Sequence, residues 1–407
     1  MQREVPPTAG LPLTWMDVSG LAREPALDVA LARFLGVKAA GITSSGTAAL
    51  IVTLAALKQR SRRRVVVIPA YTCPLVPLAV AHVGLHVKVC DVSAGGFDLD
   101  TDGLAGACDA DTLAVVPTHL GGMVANLEPV MEIAARAGAL VVEDAAQALG
   151  AKWRGRPVGT VGEVGCYSLS RGKGLTIYEG GFWVARDDDL RAAMTRAGDD
   201  LMPTRAGIEL LRIVELVGYR LCYNPIGLDF AYGRPLRRAL ARGNLLRAVG
   251  DEQRSAIPLH RVGRWRRSVG ASALRRLPAA IAANARRGRS RAATLREIPG
   301  ISVLDELPAT TGTWPFLMVV ADSAHLRDRI LARLWGGGLG VSRLFIHDLT
   351  GYRYLEAIVA RTAVPNARAL AERSFTISNS DYLSDEGFHR IREIIRSVAD
   401  HRRATPR

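Results

Sequence analysis

Residues 65–91 read VVVIPAYTCPLVPLAVAHVGLHVKVCD, and this stretch contains two β-branched apolar runs separated by a helix-like segment. We interpret residues 65–68 and 86–91 as strands and residues 75–82 as the helix that connects them. A strand, a helix and a second strand in this order are typical of a parallel sheet covered by helices. The stretch therefore predicts an α/β fold.

The same stretch raises the question of a membrane span, because residues 65–87 contain no Asp, Glu, Lys or Arg and are long enough to cross a bilayer. Pro69, Pro74 and Pro77 argue against one continuous helix, since each proline removes a helix hydrogen bond and clashes with the preceding turn. We therefore expect a soluble protein in which this stretch is part of a buried sheet.

The alternation of apolar runs and helix-like segments continues to residue 186. Further strands are predicted at residues 113–117, 139–143, 164–168 and 181–185, with a helix at residues 128–137. In sheets of this kind, ligands bind in the loops beyond the carboxyl ends of the strands. We therefore expect the chemistry of this protein to lie in those loops.

The composition favours a two-domain protein of a reducing compartment. With 407 residues and 48% hydrophobic content, the chain exceeds the usual size of a single domain. Its five cysteines are odd in number and include no CxxC pair, which argues against disulfides and against a zinc site. Residues 1–17 lack the pattern of a signal peptide. We therefore predict a cytoplasmic protein that binds no metal.

The formal net charge of +14 raises the question of a nucleic acid or an acidic membrane as partner. Clusters of arginine occur at residues 60–64, 237–247, 264–267 and 286–291, with few aromatic residues among them. Without a stacking platform or a recognition helix, a nucleic-acid partner is not predicted. A milder interpretation is that the charge attracts phosphorylated or lipid-linked substrates.

Lys173 stands out because only five of the 53 basic residues are lysines. It lies in Ser168-Leu-Ser-Arg-Gly-Lys173, a small-residue turn after an apolar run. An amine can form a Schiff base with an aldehyde cofactor, and a guanidinium cannot. The alternative is an ordinary exposed loop lysine.

A small-residue turn opens an apolar helix at residues 43–50, which read TSSGTAAL. Backbone N–H groups at a helix start, together with the hydroxyls of Ser45 and Thr47, can bind a phosphate group. The same pattern also fits an ordinary helix cap. By itself, the motif does not distinguish a phosphate-binding turn from a helix cap.

Two carboxylates, Glu143 and Asp144, follow an apolar strand and precede Gln147. A carboxylate in this position can pair with the protonated pyridine nitrogen of pyridoxal phosphate. The alternative is a helix-capping acid beside a solvated Glu143. Because a phosphate turn, an acid and Lys173 follow one another along the chain, together they predict a pyridoxal phosphate site.

The chain resembles the DegT/DnrJ/EryC1/StrS family of pyridoxal-phosphate sugar aminotransferases, closely over residues 22–186 and more loosely at 284–303 and from 314 onward. The resemblance rests on the motifs at residues 45–50, 68–72, 117–121, 143–147, 168–173 and 179–181. It implies the fold-type I architecture of aspartate aminotransferase, with a mostly parallel seven-stranded sheet. Residues 1–257 would form the large domain, with a divergent helical region at 188–257, and residues 258–407 a smaller α/β domain.

The resemblance also implies roles for single residues. Lys173 would hold the cofactor and transfer the proton during the reaction, and Asp144 would pair with the pyridine nitrogen. The remaining cofactor-binding residues would be Ser45, Gly46, Thr47, Tyr71, Cys73, Gln147, Ser168 and Asn224.

At three positions the resemblance leaves the role of the residue open. Cys73 stands where the family commonly has a ring stacked on the cofactor, with Tyr71 beside it. His119 has a family counterpart, but a packed histidine and a catalytic one are both consistent with it. Asn224 would replace an Asn-x-Arg segment that enters the neighbouring subunit's site.

The function implied by the resemblance is amino transfer from an amino acid, glutamate by analogy, to a nucleotide-linked keto-sugar in polysaccharide or secondary-metabolite biosynthesis. A homodimer with a shared active site would be expected. One alternative is a sugar dehydratase of the same scaffold, against which Lys173 argues because such relatives have histidine there. Another is a non-catalytic protein that binds through its basic surface.

Beyond residue 188 the sequence predicts mostly helices. Residues 210–221 and 236–249 are basic and amphipathic, which suits either peripheral membrane contact or burial in a dimer or domain interface, the interpretation we favour. In the C-terminal part we predict a strand at 313–320 and helices at 274–295, 323–334 and 385–401. Arg343 and His347 would face the donor or the sugar, or else lie in a solvated loop.

Overall fold

The computed structural model describes residues 3–19, 24–252 and 257–400. Its strands are β1 (Gly41–Thr43), β2 (Val65–Pro69), β3 (His86–Cys90), β4 (Thr112–Val115), β5 (Leu140–Asp144), β6 (Lys152–Trp153), β7 (Arg156–Pro157), β8 (Val164–Ser168), β9 (Gly181–Ala185), β10 (Ile301–Val303), β11 (Thr310–Thr311), β12 (Phe316–Ala321), β13 (Val341–Ser342) and β14 (Ser374–Ser378). Its α-helices are α1 (Trp15–Ser19), α2 (Leu27–Leu35), α3 (Gly46–Arg60), α4 (Leu75–His82), α5 (Thr101–Ala107), α6 (Leu127–Ala137), α7 (Asp188–Leu201), α8 (Ala206–Cys222), α9 (Pro225–Leu228), α10 (Arg234–Ala241), α11 (Leu245–Val249), α12 (Arg264–Leu274), α13 (Leu277–Arg296), α14 (Ala324–Leu334), α15 (Pro365–Arg373) and α16 (Asp385–Asp400).

The central sheet has seven strands in the order β1-β9-β8-β5-β4-β2-β3. The neighbours from β8 to β3 pair in parallel, and β9 runs antiparallel to both β8 and β1. Strands β4, β8 and β9 are buried along their whole length, as expected for strands covered by helices on both faces. The predicted mostly parallel sheet is confirmed.

Helix α3 is the element that brings the phosphate motif to the sheet. Its nine buried residues include every position from Ala48 to Leu54, so the helix lacks a polar face over these two turns. It packs against α4, α7, β8 and β9. The beginning of α3 is therefore held rigidly beside the ends of β8 and β9.

A second sheet, antiparallel in the order β10-β12-β14-β13, lies in the C-terminal part. Strand β12 is buried throughout, and α14 packs on three of the four strands of this sheet. This arrangement is that of a smaller α/β unit. The boundary between residues 257 and 258 stays a prediction. The short strands β6, β7 and β11 form a third sheet that joins residues 152–157 to residues 310–311.

Several predicted elements have different boundaries in the structure. Strand β12 starts three residues after the predicted residue 313, because Trp314 has a left-handed backbone (φ 50°) and Pro315 has no N–H to donate. The helix predicted at 274–295 is two helices, with Pro278 in the first turn of the second. The helix predicted at 236–249 is interrupted at Gly243, whose φ is 66°.

The amphipathic helix predicted at 210–221 lies within α8, and its apolar face is exposed within the chain. Leu210, Leu211, Val214 and Leu221 are each more than half exposed. Burial of this face in an interface between domains of one chain, part of the interpretation that we favoured, is therefore wrong. Among the residues that the structure describes, no helix is long and apolar enough to cross a membrane.

Candidate active site

A cavity of about 390 Å³ lies where β5 and β8 end and α3 begins. Most of the predicted cofactor-binding residues line it, although they come from four separate segments of the chain. They are Ser45, Gly46, Thr47, Cys73, Asp144, Gln147, Ser168 and Lys173. The cavity therefore lies beyond the carboxyl ends of the strands, where a sheet of this kind binds its ligands.

The first turn of α3 forms one wall of this cavity. The Ser45 hydroxyl caps the helix by accepting from the Ala48 N–H at 3.0 Å. The backbone N–H groups of Gly46 and Thr47 lie in the first turn, where α-helical N–H groups have no carbonyl partner within the helix. Such groups bind phosphate, so both N–H donors are suited to an anionic ligand in the cavity.

Two glycines let the sheet approach this helix start closely. A Cβ atom on Gly181 would lie 2.3 Å from the Ser45 carbonyl carbon, and a Cβ on Gly46 would lie 3.0 Å from the Ser168 Cβ. Only hydrogen fits in the first position without displacement of backbone. The close approach brings Ser168, the last residue of β8, beside the phosphate-binding turn.

Asp144 ends β5 and lines the cavity with a carboxylate that is 9% exposed. Its Oδ1 accepts from the Ala146 N–H at 3.1 Å. Burial raises the pKa of Asp144, and the nearby Lys173 and His119 oppose this shift. A cation in the cavity would therefore stabilise the ionised carboxylate, which is what a protonated ring nitrogen supplies.

Lys173 lies in a turn between β8 and β9, where its N–H donates to the Ser170 carbonyl at 3.2 Å. Gly172 before it has a φ of 75°, and the Thr8 hydroxyl donates to the Gly172 carbonyl at 2.8 Å. Burial lowers the pKa of Lys173, and Cys73 and Asp144 oppose this shift. The neutral, nucleophilic form of the amine is thereby favoured.

Glu143, which the alternative interpretation placed in solvent, is completely buried. Its carboxylate accepts from the backbone N–H groups of Gly159, Val161 and Gly162 at 2.6–2.7 Å. The fourth partner is Nε2 of His119 at 3.0 Å. A solvated Glu143 is therefore wrong, and this side chain fixes the loop after β7.

His119 is also completely buried. Its Nδ1 accepts from the Ala125 N–H at 3.1 Å, so Nε2 carries the proton that is donated to Glu143. Both ring nitrogens are used inside the protein although the residue borders the cavity. This arrangement favours the packed histidine over a proton-transferring one.

Gln147 lines both the main cavity and a second cavity of about 230 Å³. Its Oε1 accepts from the Gly121 N–H at 2.7 Å. The second cavity is lined in part by Gly10, Asn284 and Tyr382, which lie far from the catalytic motifs along the chain. Lys173 lines both cavities.

Tyr71 and Arg343 are not among the residues that line either cavity. The Tyr71 ring packs edge-on against Phe345, and its hydroxyl lies 3.4 Å from the Ser374 hydroxyl. The Arg343 guanidinium donates to the Ile346 and Ala371 carbonyls. The predicted ligand contacts of these two side chains stay predictions. Cys73 does line the cavity, and burial raises its pKa to about 11.

Asn224 and His347 do not line either cavity. Asn224 caps α9 by accepting from the Ile226 and Gly227 N–H groups, and it does not line the cavity of its own chain. Its contact with a neighbouring subunit stays a prediction. His347 is exposed, which agrees with the solvated loop.

Asp251 is a cavity residue that the sequence did not reveal. It is 9% exposed and accepts from the Tyr352 hydroxyl at 2.5 Å and from the Ile346 N–H at 3.1 Å. Burial raises the pKa of Asp251. Its partners are 95 and 101 residues away along the chain, so no local motif marked it.

The order of the strands in the central sheet and the position of the cavity at their carboxyl ends define the fold class. Solved structures that superpose over nearly the whole chain include Helicobacter pylori PseC, an aminotransferase involved in the biosynthesis of pseudoaminic acid (TM-score 0.74, 15% identity, covering 98% of this chain and 100% of that one). Another is a DegT DnrJ EryC1 StrS aminotransferase from Brucella abortus (TM-score 0.68, 20% identity, covering 95% and 91%). The chain has the fold-type I architecture, as predicted.

The resemblance to the DegT/DnrJ/EryC1/StrS aminotransferase family is confirmed by the family model, which matches residues 15–203. GDP-perosamine synthase of Caulobacter vibrioides is 35% identical over 165 residues, 40% of this chain and 44% of that protein. UDP-N-acetyl-3-dehydro-alpha-D-glucosamine 3-aminotransferase of Acidithiobacillus ferrooxidans is 34% identical over 166 residues, covering 40% and 45%. The matched part thus spans less than half of each of these relatives.

Proposed function

We propose that this protein is a pyridoxal-phosphate-dependent aminotransferase that moves an amino group from an amino acid, glutamate by analogy, to a keto-sugar. The observation that carries the proposal is that Lys173, Asp144 and the first turn of α3 line one cavity. An amine, a carboxylate and a phosphate-binding turn are the three groups that this cofactor requires. The matching of residues 15–203 by an aminotransferase family model supports the same conclusion.

The residues present fit the cofactor. Gly46, Thr47 and Ser168 would hold its phosphate, Asp144 its pyridine nitrogen and Gln147 its phenolic oxygen. Bound pyridoxal phosphate supplies an aldehyde and an electron-withdrawing ring. The neutral amine of Lys173 would move a proton from Cα of the donor to the aldehyde carbon of the cofactor, and it would move a proton in the opposite direction in the second half of the reaction. Asp144 would keep the ring nitrogen protonated.

For the acceptor we propose a nucleotide-linked keto-sugar used in surface polysaccharide or secondary-metabolite biosynthesis. The support comes from the relatives, whose names refer to GDP-perosamine and to a UDP-linked dehydro-glucosamine. Nucleotide-linked sugars are metabolites of the cytoplasm, and we propose that compartment for this protein. The two cavities, which share the lining residues Gln147 and Lys173, offer about 390 Å³ and 230 Å³ to cofactor and substrate.

The visible absorption spectrum tests the proposed reaction. The purified protein with added pyridoxal phosphate should show a yellow absorption band that disappears when glutamate is added and returns with a suitable keto acid. Excess free cofactor is first removed by gel filtration, and a sample treated with alanine in place of glutamate controls for non-specific loss. A protein that binds no cofactor would contradict the proposal.

Replacement of Asp144 by asparagine should leave cofactor binding largely intact but reduce turnover by about 10²-fold or more, because the ring nitrogen would lose its anionic partner. The rate of band loss with glutamate measures this effect. The matched control is Asp189→Asn, an exposed aspartate in the first turn of α7. Equal rates for both variants would remove Asp144 from the site.

We also propose a homodimer with a shared active site, formed through the exposed apolar face of α8. Besides its leucines and Val214, this face includes Gly207 and Gly218, where an added Cβ would meet no atom within 4 Å. Small residues let a second helix approach closely. Peripheral membrane contact is the alternative occupant of the same face.

A charge on this face should separate the subunits. We expect Val214→Glu to convert the dimer to a monomer in light-scattering measurements, because the buried carboxylate would lack a partner. Val29→Glu, at an apolar position of α2 that is 40% exposed, serves as control. If the wild-type chain is monomeric and sediments with anionic vesicles, membrane contact replaces the dimer.

A further inference from the structure

A third concave site lies outside the cavities described above, on the outer side of the α10–α11 hairpin. It has a volume of about 480 Å³, and three of its six lining residues are arginines. The lining residues are Pro235, Arg238, Ala239, Arg242, Asn244 and Arg247. We call this site the arginine pocket.

The three guanidinium groups of the arginine pocket lack acidic partners. Within the described ranges, Arg238, Arg242 and Arg247 form no ion pair, and all three are exposed. Their neighbours differ, because Arg234 pairs with Asp229 and Arg237 pairs with Glu4.

One carboxylate approaches the arginine pocket. Glu252 Oε1 accepts from the Asn244 Nδ2 at 3.2 Å, and it does not line the pocket. One negative charge therefore stands beside three positive ones. The excess positive charge in a concave surface attracts an anion of two or more charges.

The backbone of the hairpin is fixed. Gly243 has a φ of 66° and reverses the chain, and the Asn244 Oδ1 caps α11 by accepting from the Arg247 N–H at 3.0 Å. On the inner side, Leu236 and Ala248 are buried in a small apolar cluster. The stems of the arginines therefore start from defined positions, which reduces the entropy lost when a ligand binds.

The arginine pocket is joined to the main cavity by a very short piece of chain. Arg247 lies two residues before Val249, and Val249, Gly250 and Asp251 all line the main cavity. A ligand with its sugar in the main cavity and its phosphates outside would thus be contacted by one continuous segment. This segment lies outside residues 15–203, which the family model matches.

We propose that the arginine pocket binds the diphosphate group of the acceptor substrate. Guanidinium groups form paired, charge-assisted hydrogen bonds with phosphate oxygens, and three arginines are enough to neutralise the two negative charges of a diphosphate that is esterified at both ends. The identification of the ligand as the acceptor rests on the proposed function. The diphosphate chemistry is shared by a nucleoside diphosphate and by a lipid-linked diphosphate.

The test uses the full chain saturated with pyridoxal phosphate, so that its phosphate-binding turn is occupied. Isothermal titration calorimetry at low salt measures binding of uridine diphosphate and of inorganic pyrophosphate. Sedimentation measures binding to phosphatidylcholine vesicles that contain a polyprenyl diphosphate, against vesicles of equal charge that contain phosphatidylglycerol instead. The variant carries Arg238→Gln, Arg242→Gln and Arg247→Gln. A control of equal net charge carries the same change at three exposed arginines, Arg62, Arg333 and Arg390.

We expect the triple variant, but not the control, to bind uridine diphosphate and pyrophosphate at least about tenfold more weakly than wild type. The same selective loss confined to the vesicles that contain the polyprenyl diphosphate would identify a lipid-linked diphosphate as the source. Equal affinities in the two triple variants, or no binding by the wild-type chain in any arm, would overturn the proposal. Arg242→Gln alone repeats the test if the triple variant is unfolded by circular dichroism.

The glutamate-dependent loss of the yellow band is measured in the same samples. A selective loss of anion binding in protein whose band does not respond to glutamate would support the arginine pocket and contradict the aminotransferase. A normal band response without a difference in anion binding would support the aminotransferase and contradict the arginine pocket. The two proposals therefore fail independently.

Discussion

Lys173→Ala should prevent formation of the yellow band and lower turnover by at least about 10³-fold, since both the covalent hold on the cofactor and the proton transfer depend on this amine. The fold should remain, because the loop backbone is fixed by the Ser170 and Gly172 carbonyls. The measurements are the absorption spectrum, turnover with glutamate, and thermal unfolding. Lys152→Ala, at an exposed lysine of β6, is the matched control.

The pH dependence of cofactor uptake adds a second readout for this lysine. The amine reacts in its neutral form, so uptake rises as the pH passes through the pKa of Lys173. Because burial lowers this pKa below the usual lysine value of 10.5, the rise should be complete at lower pH than for an exposed lysine. Turnover of Lys173→Ala at the wild-type rate would refute the assignment of the lysine.

Glu143→Gln should give the largest loss of stability, lowering the free energy of unfolding by about 3 kcal/mol or more. The carboxylate accepts from three backbone N–H groups and from His119. A glutamine amide replaces one acceptor oxygen by a donor, so at least one buried N–H group would face another donor.

Chemical denaturation monitored by circular dichroism measures this loss. The matched control is Glu132→Gln at an exposed position of α6, which should change the free energy of unfolding by less than about 0.5 kcal/mol. If Glu143→Gln behaves like the control, the buried carboxylate does not stabilise the loop after β7. The absorption band should be affected only indirectly, through loosening of Asp144.

The sequence predicted those strands that have their own apolar run. Strands β2, β3, β5, β8 and β9 appear where the β-branched residues concentrate, because both faces of a central strand are buried. By contrast, β1, β6, β7 and β11 have two or three residues each. Such strands exist only through pairing with partners distant along the chain, and no local pattern reveals them.

The candidate site was predictable where its residues belong to local motifs at strand and helix ends. Ser45 to Thr47, Asp144 and Lys173 meet these conditions, and all of them line the main cavity. Asp251 was missed because its environment is built by Ile346 and Tyr352, which are distant along the chain. The burial of Glu143 was not predicted because its backbone donors come from a later loop. The contacts of Tyr71 with Phe345 and Ser374 are equally remote.

The environments of the other four lysines have a practical consequence for counting functional sites. Lys38 and Lys88 form ion pairs with Asp188 and Asp109, Lys58 donates to the Val83 carbonyl, and Lys152 is exposed. None of these four lies in the candidate cofactor site, whereas Lys173 lines the main cavity and burial lowers its pKa. A limiting amount of pyridoxal phosphate followed by borohydride reduction should therefore label Lys173 first. Mass spectrometry of the labelled chain would then report the fraction of competent molecules in any preparation directly, before a sugar substrate is known.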